Sequence, residues 1–330
     1  MILTDGPYFD DLSLGDRFDT APQMELSSGL AAVHHSILGG RLRLPFDPRF
    51  AERLTGRPGA VASPGLVWDV AIGQSTLVTQ RAIANLFYRG LVFLRAPLIG
   101  DTLQTITTIV GLRPVTPKAG RPPRGLVVMH IETLDQHDRP VLDFHRCAML
   151  PARTERATGA VGLVDLPPSA FTTAELSAAV GDWDLSATRH VAPSFADIAA
   201  GASVGITGGD VVSSAPELAR LSMNLAVVHH DRTATPSGER LVYGGHTIGL
   251  ALAQASRALP SLLTVVAWHD CDHIGPVHEG DTLHSAIVVE RCEPRPAGGG
   301  FVHLRSRVTA TNGAGTRTDV LDWRYVGLVA

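Results

Sequence analysis

The chain has 330 residues, of which 45% are hydrophobic, 18% charged and 5% aromatic, with a formal net charge of −4 and a mean hydropathy of +0.13. That length allows two domain-sized units with a large buried core, and the apolar, almost neutral balance excludes intrinsic disorder. It also excludes a nucleic-acid partner, because Lys118 is the one lysine and no basic run is present to neutralise phosphates.

The N-terminal segment is acidic and broken at Gly6-Pro7, which predicts no signal peptide. Apolar runs such as Leu262 to Trp268 fall far short of the roughly 20 residues that a membrane-spanning helix needs. Cys147, Cys271 and Cys292 are widely spaced and odd in number, so no disulfide framework is expected and the cytoplasm is the expected location.

Along the chain, short strings recur in the same order. Leu-Ala-Ala-Val-His-His at 30–35 returns as Leu-Ala-Val-Val-His-His at 225–230. Gly-Asp-Thr-Leu at 100–103 returns at 280–283, and Val-Leu-Asp-Phe at 141–144 returns as Val-Leu-Asp-Trp at 320–323. Gly65 precedes Gly100 by 35 residues and Gly245 precedes Gly280 by the same 35. Three matches in the same order, with the same 35-residue gap between the glycines, indicate an internal duplication. The copies differ ahead of the central glycine, where the first carries an extra segment, 41–59. The predicted organisation is a first repeat over 1–150, a linker over 151–192 running along the surface, and a second repeat over 193–330.

Each repeat reads as one helix followed by strands. Residues 65–85 have bulky apolar side chains all round and few charges, as a helix buried on most sides requires, and 245–259, stopped by Pro260, is the counterpart. Strands are predicted at 91–94, 102–110, 126–133 and 141–150, and at 262–273, 282–291, 301–311 and 320–329. Antiparallel strands wrapped on one apolar helix make an α+β unit, repeated twice.

This order resembles a tandem hot-dog fold of the MaoC-like acyl-CoA dehydratases, the R-specific enoyl-CoA hydratases. The likeness is carried by the opening Tyr8-Phe-Asp-Asp-Leu-Ser-Leu-Gly-Asp16, by the histidine segment ahead of a glycine-led helix, and by the proline-led strand starts at Pro97 and Pro276. Arg240-Leu-Val-Tyr-Gly-Gly-His246, with Asn224 five residues before His229, looks most like the mesaconyl-CoA hydratase branch. The resemblance implies a hydro-lyase acting on the 2,3 double bond of an enoyl-CoA. It implies no separate cofactor, since CoA is part of the substrate. Two fused repeats already form a pseudo-dimer, so further homodimerisation is allowed but not required.

Hydration of an enoyl thioester needs a base for water, an acid for the carbon beside the carbonyl, and donors for the enolate oxygen. Carried over residue by residue, His229 matches the family histidine and Gly245 the glycine at the helix start. Asn224 stands where the family has aspartate; an amide cannot take a proton at neutral pH, although it can orient a water. Asp231 or Asp272 is a substitute carboxylate. His230, Asp231, Tyr243, Gly244, His246 and Asp272 flank the site as candidate substrate-binding residues. Arg240, Arg89 and Arg95 are candidate partners for a second carboxylate on the substrate. The first copy has Gly29 and His34 at the corresponding places, so it is expected to serve as a binding wall.

Two other readings stand beside this one. Asp69, a carboxylate in an apolar helix, suits a hot-dog thioesterase, whereas a degraded site at Asn224 suits a non-catalytic acyl-CoA-binding subunit. His269, Cys271 and His273 alternate along one strand, but ligands two apart on a strand lack the usual metal-site spacing, so no metal is expected.

Overall fold

The computed structural model describes residues 6–116, 118–154, 159–188, 191–235 and 238–330. Eight long strands dominate. The first copy contributes β1 (Ala84–Phe93), β2 (Thr102–Pro114), β3 (Arg124–Leu134) and β4 (Pro140–Pro151). The second contributes β5 (Leu262–His273), β6 (Thr282–Pro294), β7 (Gly300–Thr311) and β8 (Arg317–Val329). All pair antiparallel, and the spatial order is β2-β3-β4-β1-β5-β8-β7-β6. Read outward from the centre, both copies run in the same sequence, which is the duplication expressed as topology.

The copies join edge to edge. β1 and β5 pair from Val92 against Ala267 to Phe87 against Asp272, making one continuous sheet rather than two units stacked face to face. Mutual pairing removes an exposed edge from each copy.

The helices are α1 (Ser28–Leu38), α2 (Pro48–Thr55), α3 (Pro64–Gln74), α4 (Thr173–Ser177), α5 (Ala215–Leu221) and α6 (Gly244–Ala258). Every residue of α3 is buried, as its all-round apolar pattern requires, and α3 touches α6. The helix predicted for 65–85 ends at Gln74. Ser75 and Thr76 turn their hydroxyls back onto the carbonyls of Ile72 and Gly73, at 2.6 and 2.5 Å, and the chain leaves the helix there. Trp68, Trp268 and Trp323 meet edge to face where the copies join.

The segment 151–192 does not simply run over the surface. Leu176, Val180, Trp183 and Leu185 are buried and complete a second apolar cluster with Phe50 and Leu54 of α2 and with Leu263 and Val266 of β5. The extra segment of the first copy thus supplies α2, which the linker covers.

Candidate active site

The site is built where the second copy's histidine segment leans on the first copy. The carbonyl oxygen of Ser222 approaches Gly73 of α3 so closely that a Cβ there would lie 1.6 Å from it, so this crossing requires glycine. The next residues are tied down by first-copy groups. Leu225 N–H donates to Thr76 Oγ1 at 2.8 Å, and Val227 N–H donates to the Gln80 carbonyl at 2.9 Å.

These ties place Asn224 and His229 on the wall of a cavity of about 970 Å³, together with Tyr243 and Gly244 at the start of α6. His229 Nδ1 lies 2.9 Å from the Leu241 carbonyl, which can only accept, so Nδ1 carries the hydrogen and Nε2 keeps its lone pair. Burial holds the His229 imidazole down, to about 4, so it is neutral at ordinary pH. Its ring stands 5.7 Å, centroid to centroid, from that of Tyr243.

Asn224 is buried, with Oδ1 accepting from Ala226 N–H at 2.9 Å. That bond directs the oxygen into the turn and reserves the Nδ2 hydrogens for the cavity. At the head of α6, His246 N–H bonds the Tyr243 carbonyl at 2.9 Å, while the N–H groups of Gly244 and Gly245 have no protein acceptor among the described residues. Free donors at a helix N-terminus favour a developing oxyanion.

A second cavity, about 450 Å³, occupies the corresponding place in the first copy. It is walled by His34, Leu38, Leu42, Phe46, Leu66 and Gly249, among others, and is mostly apolar. His34 Nε2 lies 3.0 Å from Asp69 Oδ2, and Tyr243 donates its hydroxyl to Asp69 Oδ1 at 3.1 Å. Burial raises the Asp69 carboxyl above the usual carboxylate range.

No protein-family model matches the chain. Among solved structures, it superposes on Rv0216 of Mycobacterium tuberculosis, a double hot-dog protein, with 52% identity, a TM-score of 0.87 and 99% of each chain covered. A MaoC domain protein dehydratase from Chloroflexus aurantiacus superposes with a TM-score of 0.87 at 26% identity, covering 99% of this chain and 98% of the other. The mesaconyl-CoA hydratase of Cereibacter sphaeroides is 28% identical over 308 residues, 91% of this chain and 88% of the relative. The chain is a double hot-dog protein similar to the MaoC-like dehydratases.

Within this site the predicted residues separate into three groups. His229, Asn224, Tyr243 and Gly244 line the large cavity, and Gly245 follows at the head of α6. His230 turns away, its Nε2 2.6 Å from the Asn224 carbonyl, and Asp231 is exposed and caps its own turn by accepting from Thr233 N–H. His246 is fully buried in α6 with neither ring nitrogen bonded, and Asp272 is tied to Arg89 at 2.7 Å. None of these four is on the cavity wall.

The other candidates are accounted for by local contacts. Asp69 lines neither large cavity, because His34 and Tyr243 hold both its oxygens inside the protein. His269 bonds the Ser169 carbonyl and stacks on His303, so the His269–Cys271–His273 alternation gathers no ligand set. The one metal-compatible group among the described residues is elsewhere, at His130, Glu132 and Asp143.

His273, named above only in the strand alternation, lines the same cavity, and so do four residues that the sequence did not single out, Tyr88, Thr76, Thr79 and Arg146. These four come from the first copy, and no motif marks them. One signal was available: Leu142, Phe144, Arg146, Ala148 and Leu150 form the inward row of β4, with an arginine in its middle.

Proposed function

We propose that the chain is a hydro-lyase that adds water to, or removes it from, the 2,3 double bond of a 2-enoyl-CoA thioester, with a branched dicarboxylic thioester such as mesaconyl-CoA as the first substrate to try. The observation that carries this reading is the lone pair at His229 Nε2, held on the wall of the same cavity as Gly244, at the head of α6 where the Gly244 and Gly245 N–H groups are free. In the hydration direction, Nε2 takes a proton from water that the Asn224 amide orients, and the hydroxide oxygen bonds to C3. The electron pair of the double bond moves toward the thioester oxygen, where the α6 N–H groups stabilise the enolate. The imidazolium then returns its proton to C2, so the cycle needs no redox partner and no cofactor beyond the CoA of the substrate.

Arg81 and Arg124 on the cavity wall supply positive charge suited to the phosphates of CoA. A cytoplasmic setting fits the cysteines, since Cys147, Cys271 and Cys292 are all unpaired. No helix among the described residues is long and apolar enough to cross a membrane.

The test is the loss of enoyl-thioester ultraviolet absorbance with His229→Ala. The expected fall is about 10²–10⁴-fold with folding retained, the range of positioned acid–base groups. An unchanged rate would remove His229 from the chemistry. One observation favours a second reading: among the described residues no carboxylate bonds His229, which suits an acyl-CoA-binding subunit. That reading predicts tight acyl-CoA binding with no turnover by the parent protein.

A further inference from the structure

Arg146 is 3% exposed and lines the cavity that holds His229 and Asn224. Its Nη1 donates to Ser75 Oγ at 2.7 Å and to the Ile72 carbonyl at 3.4 Å, and its Nη2 donates to Thr79 Oγ1 at 2.6 Å. Nε–H has no acceptor among the described residues. Every one of these partners is neutral. The ionisable groups whose charge reaches it, Tyr88, Tyr243 and Cys147, are all pushed toward their uncharged forms by burial. Among the described residues no carboxylate forms an ion pair with Arg146.

The other arginines near the motifs do not line this cavity, and each has a carboxylate within 4 Å. Arg89 pairs with Asp272 at 2.7 Å, Arg240 with Glu279, and Arg95 with Asp135 at 3.9 Å. A guanidinium removed from water without a counter-ion is costly, and buried cations are ordinarily paired. The carbonyl end of α3 offsets part of that cost through its dipole but brings no full negative charge. The cavity beside Arg146 has room for the missing anion.

We propose that Arg146 is a specificity-determining residue that binds a second carboxylate on the substrate, so that the cavity selects 2-enoyl thioesters carrying an acid group over those with plain alkyl chains. This deepens the hydro-lyase reading and rests on it. In a butenedioyl thioester the acid group stands on C3, the carbon that accepts the hydroxyl. Pairing it with Arg146 orients C3 toward His229 and withdraws negative charge from the atom that water must attack.

The experiment compares hydration of mesaconyl-CoA and crotonyl-CoA by the parent protein, Arg146→Gln and Arg146→Lys. It adds calorimetric binding of two unreactive thioesters, succinyl-CoA and butyryl-CoA. Arg146→Gln should lower kcat/KM for mesaconyl-CoA about 100-fold, as loss of one partner of a buried charge pair does, and leave crotonyl-CoA within about threefold. Arg146→Lys keeps the cation at the end of α3 without the planar fork; it should fold and show a raised KM for mesaconyl-CoA alone. Equal losses on both substrates would overturn the proposal and make Arg146 a strut for α3, as would a parent protein that prefers crotonyl-CoA. If the parent hydrates neither thioester yet binds succinyl-CoA about tenfold more tightly than butyryl-CoA, and Arg146→Gln abolishes that preference, the hydro-lyase reading falls while the carboxylate site stands.

Discussion

Tyr243, which precedes α6 in the second copy, donates its hydroxyl to Asp69 of α3 in the first copy at 3.1 Å, while the other oxygen of Asp69 lies 3.0 Å from His34 Nε2. One buried carboxylate therefore couples the walls of both cavities. Asp69→Ala leaves the tyrosine hydroxyl and the histidine without their partner, at about 1–3 kcal/mol for each group left unpaired. Urea unfolding should show a larger loss for Asp69→Ala than for Tyr243→Phe, which removes one bond and leaves the His34 contact. Equal midpoints for Asp69→Ala and the parent would refute the coupling.

The pH dependence of hydration follows from His229. Burial holds its imidazole at about 4, and only the neutral ring can take a proton from water, so kcat/KM should stay level down to about pH 5 and fall below that. Asn224→Asp keeps an oxygen for the Ala226 N–H and places a negative charge near the ring. That charge favours the imidazolium, so the acid limb should move upward in pH. A parent profile that already breaks near pH 6.5 would mean that burial does not hold this imidazole down.

Gly245 is held by contact. A Cβ there would lie 2.2 Å from Asp69 Oδ1 and 2.4 Å from the Tyr243 ring, whereas a Cβ on Gly65 would first meet the His34 ring at 3.3 Å. Gly245→Ala should therefore cost about 1–3 kcal/mol of stability and depress hydration, and Gly65→Ala should be milder in both assays. The reverse ranking would contradict the packing described for the head of α6.

His246 supplies an acid-lability prediction. Its imidazole, buried with neither nitrogen bonded, is held at about 4 against an ordinary 6.5. Between those values the unfolded chain binds more protons than the folded one, so stability rises with pH across that window and is lost as pH falls through it. The first copy has Leu66 at the corresponding position, so His246→Leu is a conservative probe. Unfolding midpoints at pH 7.5 and pH 5 should lie closer together in His246→Leu than in the parent; an unchanged gap would assign the acid sensitivity to other groups.

Much of this was legible in one dimension. The repeated strings located both copies, and seven of the eight long strands lie within a few residues of where alternation and turn signals put them; only the first began well earlier than predicted, at Ala84 rather than 91. The helix at 65–85 was overlong because apolar periodicity carries no information about Ser75 and Thr76 turning onto the preceding carbonyls. The segment 151–192 read as a surface linker because its few apolar residues find their partners in α2 and β5, far away in sequence.

The sequence by itself determined the duplication and the helix-then-strands order of each copy, because these depend on local spacing and on periodicity along one element; the set of Asn224, His229 and Gly245 came from the family resemblance. Tertiary structure alone decided which side chains share a cavity. Pairing of β1 with β5 brings the first copy's Tyr88 and Arg146 to the second copy's histidine and ties Asp272 to Arg89, while local hydrogen bonds turn His230 and Asp231 away. A cavity wall is assembled from elements that meet only after the sheet has formed, and an uncompensated charge such as Arg146 is visible only once every potential partner has been placed.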